Sequence, residues 1–184
     1  MMTEQEYIKD VKDVEILKPQ ELTKSVGNYT KEFSFGKYLE REEVNTLLSN
    51  IPSERPKHSV FFQFLWRTGC RVTEAISVRK EQINFQDGYI EIRWLKSRKY
   101  QKRIVPLQEG LRNILWLYCS PLKHDERLFP FSRQNADRIA KKYGFGHCHV
   151  LRHSYAVNFI KQSKGAYAIP LLRKLFVYSR FETT

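Results

Sequence analysis

The sequence predicts a mainly α-helical fold with a small antiparallel β-sheet. Apolar residues recur every three or four positions through most of the chain, which is the spacing of amphipathic helices. Only residues 89–95 (YIEIRWL) alternate with a period of two, as a half-buried strand does. With 184 residues, 41% of them hydrophobic, the chain can bury one core, so we expect a single domain.

The N-terminal part predicts an arm followed by helices. Residues 1–36 are charged and carry Pro19 and Gly27, so we expect an arm or linker with a short helix at residues 3–14, and a domain over residues 37–184. Helical spacing predicts helices at residues 40–51 and 57–68, which Pro52 and Gly69 end. A short buried helix is expected at residues 74–79.

The middle of the chain predicts a β-hairpin. The alternation places Ile90, Ile92 and Trp94 on one face of the first strand, and residues 103–107 (RIVPL) supply the second strand. The polar residues 96–102 between them are expected to form a connection, so the hairpin would have a very basic tip.

The remaining helices follow from the same spacing. Helical patterns occur at residues 111–118, 133–143, 149–161 and 170–177. Pro121 ends the first of these, Ser132 is placed to cap the second, and Gly144 ends it. The inner stripe of the 149–161 helix is expected to contain these residues: Val150, Leu151, Ser154, Tyr155, Val157 and Phe159.

The charge balance points to a nucleic-acid partner. Thirty-two Lys and Arg against twenty Asp and Glu give a net charge of +12, a field that attracts phosphate polymers or anionic membrane surfaces. No amphipathic membrane helix stands out, and the longest apolar runs are too short to cross a bilayer. The N-terminus also lacks the apolar segment of a secretion signal. We therefore expect a cytoplasmic protein that binds no membrane.

The cysteines predict neither disulfides nor a metal site. Cys70, Cys119 and Cys148 are odd in number and far apart, which favours reduced thiols. His147, Cys148 and His149 are adjacent and so point in different directions, and the sequence has no second ligand pair at zinc spacing. We expect no metal.

Two arginines and a histidine in apolar helical surroundings suggest an anion site. Arg71 and Arg152 are 81 positions apart, and burying a guanidinium is costly unless an anion or a hydrogen-bond partner compensates it. His149 precedes Arg152 by three residues, so on a helix the two share a face. The alternative is structural: Glu74 can pair with Arg71, and a core histidine is often bonded to the backbone.

Four motifs together resemble the tyrosine recombinase (phage integrase) family. They are residues 68–75 (TGCRVTEA), the hairpin LKS…RIVPL at 95–107, residues 149–156 (HVLRHSYA) and the terminal residues 175–184 (LFVYSRFETT). The resemblance covers roughly residues 35–184, and four motifs in the family's order are far more specific than any one of them.

The resemblance implies a role for each matching residue. Arg71 and Arg152 would clamp the scissile phosphate, and Glu74 would support Arg71. Lys96 would be the general acid that protonates the 5′ leaving oxygen, and His149 a proton acceptor or phosphate donor. His153 is expected to be structural, and Lys99 is the alternative general acid. Contacts to DNA backbone phosphates are expected from the basic residues of the hairpin: Arg98, Lys99, Lys102 and Arg103.

The end of the chain departs from the family pattern. Tyr178 stands where the family usually has a phosphate-contacting histidine, and a phenol can still donate a hydrogen bond there. The attacking tyrosine of the family follows the Thr-Thr pair, whereas Thr184 is the last residue here. We expect a catalytic domain that is incomplete at its C-terminus and lacks its nucleophile.

The resemblance therefore implies DNA strand cleavage and rejoining through a 3′-phosphotyrosyl intermediate, with no metal and no other cofactor. Double-stranded DNA would be the partner, the protein would assemble on it as a homo-oligomer, a synaptic tetramer, and it would be nucleoid-associated when bound. One alternative is a catalytically inactive DNA-binding relative that serves as a regulator or accessory subunit. Another is a type IB topoisomerase, which shares the arginine, lysine and tyrosine chemistry.

Overall fold

The computed structural model describes residues 38–96 and 99–162, and these form helices around a three-stranded antiparallel sheet. In chain order the elements are α1 (Arg41–Ser49), α2 (Pro56–Thr68), α3 (Val72–Ser77), β1 (Ile83–Asn84), β2 (Tyr89–Lys96), β3 (Lys99–Pro106), α4 (Glu109–Cys119), α5 (Arg133–Lys142) and α6 (Cys148–Gln162). A 3-10 turn, Lys80–Gln82, joins α3 to β1. The predicted fold class is confirmed.

Helix α2 lies at the centre of the core. It begins at Pro56, whose fixed φ suits the first helical position. Its apolar face is fully covered, and the predicted stripe is confirmed by these buried residues: Val60, Phe61, Phe64 and Leu65. Gly69 ends the helix with φ of 62°, a left-handed conformation that favours glycine, and the chain turns there into α3.

The sheet is built on a long hairpin. Strands β2 and β3 pair in register from Tyr89 with Pro106 to Lys96 with Lys99, so only two residues separate them. The inner face of the hairpin, with Ile90 and Ile92, is buried as predicted. The predicted seven-residue connection at 96–102 is wrong, because polar side chains are compatible with a strand whose outer face meets water.

Helix α6 packs on α2 and is held partly by buried polar groups. Ser154 Oγ accepts a hydrogen bond of 2.8 Å from the backbone N–H of Leu39, and Asn158 Nδ2 donates one of 3.1 Å to the Leu39 carbonyl. These bonds attach the segment before α1 to α6. Because the buried face includes Arg152 and Asn158 as well as apolar residues, apolar spacing describes it incompletely.

The predicted inner stripe of α6 is therefore only partly right. Val150, Leu151 and Ser154 are buried, but Ala156 and Asn158 complete the buried face. The three aromatic or β-branched residues expected there are half-buried instead: Tyr155, Val157 and Phe159. The predicted arm at residues 1–36 and the predicted helices at 3–14 and 170–177 lie outside the described residues.

Candidate phosphate-binding site

Arg71 and Glu74 form the first half of the site, at the start of α3. The Glu74 carboxylate accepts a hydrogen bond of 2.9 Å from the backbone N–H of Arg71 and one of 3.0 Å from the Arg71 side chain. The Glu74 side chain is buried, whereas the Arg71 side chain is 43% exposed. Glu74 therefore fixes the Arg71 guanidinium through Nη1, while much of the Arg71 side chain is exposed to solvent.

Arg103 joins the same carboxylate from the hairpin. Its Nη2 lies 2.8 Å from Glu74 Oε2 and its Nη1 lies 3.3 Å from Glu74 Oε1, a two-pronged pair between buried side chains. Arg103 was expected to contact DNA, and we correct that assignment. A backbone phosphate needs an exposed cation, whereas this guanidinium connects β3 to α3 inside the core.

Arg152 reaches the site from α6. Its Nη1 donates a hydrogen bond of 2.6 Å to the carbonyl of Gly69, two residues before Arg71. Arg152 itself is only 3% exposed. Folding therefore brings the two arginines, 81 positions apart in the sequence, to the same turn between α2 and α3.

The arginines at this turn keep Glu74 ionised. Burial opposes ionisation of Glu74, but the charge of Arg103, the hydrogen bond from Arg71 and the charge of Arg152 outweigh it and lower the pKa of the carboxyl. Glu74 is thus an anion at neutral pH. Three guanidinium groups act on this one carboxylate, and the Arg71 side chain remains 43% exposed, so the turn presents a cation suited to a phosphate.

His149 and His153 lie beside these arginines on α6. Their ring centroids are 4.3 Å apart. Burial, followed by the nearby charges of His153, Arg152, His147 and Arg71, lowers the pKa of His149 to about 4. Burial and the charges of Arg152 and His147 also lower the pKa of His153. At neutral pH His149 is therefore an uncharged imidazole that can accept a proton or donate one hydrogen bond.

The hairpin supplies the remaining predicted residues. Lys96 is the last residue of β2 and is paired in register with Lys99, the first residue of β3. Lys102 is exposed and its Nζ lies 3.1 Å from Glu91 Oε2. Arg98 and Tyr178 lie outside the described residues, as do the side chains of Lys96 and Lys99.

Within residues 38–96 and 99–162 no group of three or more His, Cys, Asp or Glu side chains could hold a metal ion. The three cysteines are buried free thiols. No helix among the described residues is long and apolar enough to cross a membrane.

Sequence reasoning missed the inward direction of Arg103. Its position carried a usable signal, because Arg103, Val105 and Leu107 alternate along one strand and the last two are apolar. A basic residue in phase with apolar ones on a strand points into the core. The hydrogen bond from Arg152 to the Gly69 carbonyl could not be predicted in the same way, since every residue has a backbone carbonyl.

The site residues lie within the part of the chain that matches a known protein family. A model of the phage integrase family matches residues 37–170. This range contains Arg71, Glu74, Lys96, His149 and Arg152.

Several curated proteins are similar over most of the chain. Tyrosine recombinase XerA of Thermococcus onnurineus is 27% identical over 187 aligned residues, which cover 94% of this chain and 61% of that protein. Tyrosine recombinase XerA of Pyrococcus furiosus is 29% identical, with coverage of 80% and 55% respectively. The chain thus spans 55–61% of the length of these relatives.

Solved structures share the fold. A crystal structure of XerA recombinase matches with a TM-score of 0.65 at 20% identity, covering 79% of this chain and 55% of that one. The Tn1549 transposon integrase in complex with circular intermediate DNA matches with a TM-score of 0.61 at 16% identity, covering 78% and 58%. The catalytic domain of bacteriophage HP1 integrase gives 0.59 at 21% identity, covering 78% and 81%.

Proposed function

The chain belongs to the phage integrase family, and from that membership we propose that it is the catalytic domain of a DNA breaking and rejoining recombinase. The relatives are named tyrosine recombinases, and their matches cover 94% and 80% of this chain. The proposed substrate is a phosphodiester of double-stranded DNA. The family match favours a recombinase over the type IB topoisomerase considered from the sequence.

The observation that carries the proposal is the turn between α2 and α3. Arg71 and Arg152 meet there, and the exposed side of Arg71, which Glu74 orients, can bind a phosphate. Phosphoryl transfer needs such cations, because charge develops on the non-bridging oxygens in the transition state.

Each site residue has a proposed task. Arg71 and Arg152 bind the non-bridging oxygens, with Glu74 fixing the direction of Arg71. Lys96 protonates the 5′ oxygen as its bond to phosphorus breaks, with Lys99 as the alternative donor. The neutral His149 accepts the proton of the attacking hydroxyl or donates to the phosphate. We assign Tyr178 to the phosphate-contacting position rather than to the attacking tyrosine.

The rejoining half of this reaction can be tested without the attacking tyrosine. A nicked duplex would carry a 3′-(p-nitrophenyl phosphate) next to a free 5′-hydroxyl, so that p-nitrophenol replaces tyrosine as the leaving group. The 5′ oxygen attacks phosphorus, the phosphorus–nitrophenol bond breaks, and release is measured by colour and strand joining on a gel. A pool of nicked duplexes with randomised flanks avoids dependence on one target sequence.

We expect joining by the chain to fall at least ~100-fold in Arg71→Gln, because that side chain contacts the charge that develops on phosphate. Arg133→Gln removes the same charge from an exposed helix start and is expected to join normally. Duplex binding without any joining would favour the catalytically inactive relative instead. A covalent adduct lost on Tyr178→Phe would contradict the proposed place of Tyr178.

We also propose that copies of the protein assemble on DNA, with a synaptic tetramer as the expected state, and that the protein is then nucleoid-associated. The net charge of +12 supports binding to DNA before assembly, since it repels free copies from one another. Sedimentation with and without duplex DNA gives the number of copies in the complex. A complex of one chain per duplex at saturating protein would contradict the tetramer.

A further inference from the structure

A cavity of about 180 Å³ lies between α1, α2 and α6, and it contains none of the residues assigned to DNA cleavage. Its wall includes two arginines, Arg41 and Arg67, and an aromatic ring from α2, Trp66. Tyr155 and Phe159 of α6 line it as well, with their rings stacked at a centroid distance of 6.0 Å. The cavity thus combines cations with flat apolar surfaces.

Both cations lack a counter-charge within the described residues. Neither Arg41 nor Arg67 forms an ion pair with any carboxylate of residues 38–96 or 99–162. The Nε of Arg67 is buried and has no hydrogen-bond partner in the same part of the chain. A buried donor left unpaired is costly, so a ligand that accepts a hydrogen bond there would be stabilised.

The surroundings of Arg67 increase its need for an anion. A Cβ on Gly110 would lie 3.1 Å from Arg67 Nη1, so the guanidinium lies against the first turn of α4. The first turn of a helix carries unpaired N–H groups and a partial positive charge. Arg67 is favourably placed at the C-terminal end of its own helix α2, but its head meets a second positive region.

Asn158 adds a fixed acceptor to the cavity wall. Its Nδ2 donates to the carbonyls of Leu39, at 3.1 Å, and Ser154, at 2.8 Å. Both amide hydrogens are therefore committed, and the side chain can meet a ligand only through Oδ1. This acceptor suits a ligand group that donates a hydrogen bond, such as the amino group of adenine or cytosine.

We propose that this cavity binds a nucleotide unit with an amino-bearing base. The base lies against the rings of Trp66, Tyr155 and Phe159, and its phosphate is held by Arg41 and Arg67. The volume is adequate for the base, because an apolar cavity of about 150 Å³ already admits benzene, and the sugar and phosphate extend from the base toward the exposed Arg41. The nucleotide is either free in solution or an unpaired nucleotide of a DNA strand. The proposal does not depend on the recombinase function, since it uses none of the site residues assigned above.

The test is calorimetric titration of the whole chain with deoxyadenosine monophosphate. We expect it to bind more tightly than deoxyadenosine or inorganic phosphate alone, because each of these fills only part of the cavity. Thymidine monophosphate should bind less tightly, because its O4 carbonyl would oppose Asn158 Oδ1. Equal affinity for the nucleotide and for inorganic phosphate, or no measurable binding of the nucleotide, would overturn the proposal.

A matched pair of variants locates the binding. Arg41 and Arg133 are both exposed and both begin a helix, so changing either to Gln removes the same charge from the same kind of position. Arg41→Gln is expected to weaken nucleotide binding about tenfold and Arg133→Gln to leave it unchanged. Arg67→Met keeps the aliphatic stem and should weaken binding as much, with thermal unfolding showing that the variant is folded.

Two further comparisons complete the experiment. If Arg71→Gln abolishes nucleotide binding while Arg41→Gln does not, the ligand occupies the turn between α2 and α3 and the proposal fails. A duplex with one unpaired 3′ deoxyadenosine, compared with a blunt duplex, identifies the source. A preference for the overhang that Arg41→Gln removes assigns the cavity to a DNA strand, and nucleotide binding without that preference assigns it to the free nucleotide.

Discussion

Glu74 is the residue on which the site depends most. It accepts hydrogen bonds from the backbone and side chain of Arg71 and pairs with Arg103, so one carboxylate connects α3 to β3. The spacing of three between Arg71 and Glu74 made the first contact predictable. The pair with Arg103 is between residues 29 positions apart, and only the alternation along β3 hinted at it.

Replacing Glu74 by Gln should cost about 3–5 kcal/mol of unfolding free energy, because it leaves the buried Arg103 charge without its anion. Urea unfolding followed by circular dichroism measures the change. Glu91→Gln is the control, since Glu91 pairs with exposed Arg93 and Lys102 and should cost less than about 1 kcal/mol. Equal effects of the two substitutions would contradict the account of Glu74.

His149 should make stability depend on pH. Its pKa is lowered from the ordinary 6.5 to about 4, so between these values the unfolded chain binds a proton that the folded chain does not. The contribution of His149 to the free energy of unfolding is therefore complete above pH 6.5 and decreases as the pH falls toward 4. Unfolding free energies measured across this window should rise with pH, and His149→Gln should make the rise smaller, leaving the part due to the lowered pKa of His153. A rise that His149→Gln leaves unchanged would contradict the assignment.

At the scale of elements, the hairpin fixes where Lys96 lies. Its inner face is buried through Ile90, Ile92 and Val105, and Arg103 adds the pair with Glu74. The position of Lys96 at the end of β2 thus depends on packing several residues away.

Two isoleucines of the hairpin give a matched comparison. Ile92 is fully buried and Ile104 is 51% exposed, so truncating each removes the same atoms from opposite faces. Ile92→Ala should cost about 2–5 kcal/mol and Ile104→Ala less than about 0.5 kcal/mol. Thermal unfolding of the two variants measures the difference, and similar losses would show that the faces are misassigned.

The elements were predicted unequally well, for physical reasons. Pro52 cannot continue a helix, Gly69 permits a left-handed turn and the Ser132 side chain caps a helix, so the helix bounds near them were close to those of the structure. The strands were predicted too short, because the polar residues 99–102 suggested a loop although a solvated strand face accepts them. In α6 the side chains of Ser154 and Asn158 are buried because they form hydrogen bonds with the backbone of Leu39. A prediction from the spacing of apolar residues does not include such polar contacts.

At the scale of the whole molecule, the excess of positive charge should determine how DNA binding responds to salt. Each phosphate contact releases counterions, so the logarithm of the affinity falls linearly with that of the salt concentration. Lys102→Gln should reduce the magnitude of this slope by about 1 and weaken binding to all duplex sequences alike. Fluorescence anisotropy over a salt series measures both.

Glu91→Gln is the counterpart of that substitution. It removes the carboxylate that pairs with Lys102 and should leave the salt slope undiminished. If Lys102→Gln and Glu91→Gln lower the slope equally, Lys102 does not contact phosphate.

The two hydrogen bonds between Leu39 and α6 have a mechanical consequence. The backbone just before α1 is bonded to the helix that also carries His149 and Arg152, over a sequence separation of more than one hundred residues. A force applied to the chain before residue 38 therefore acts on α6 through these hydrogen bonds before it acts on α1. Tension applied from the N-terminal side would reach the helix of Arg152, the proposed phosphate ligand, through two hydrogen bonds.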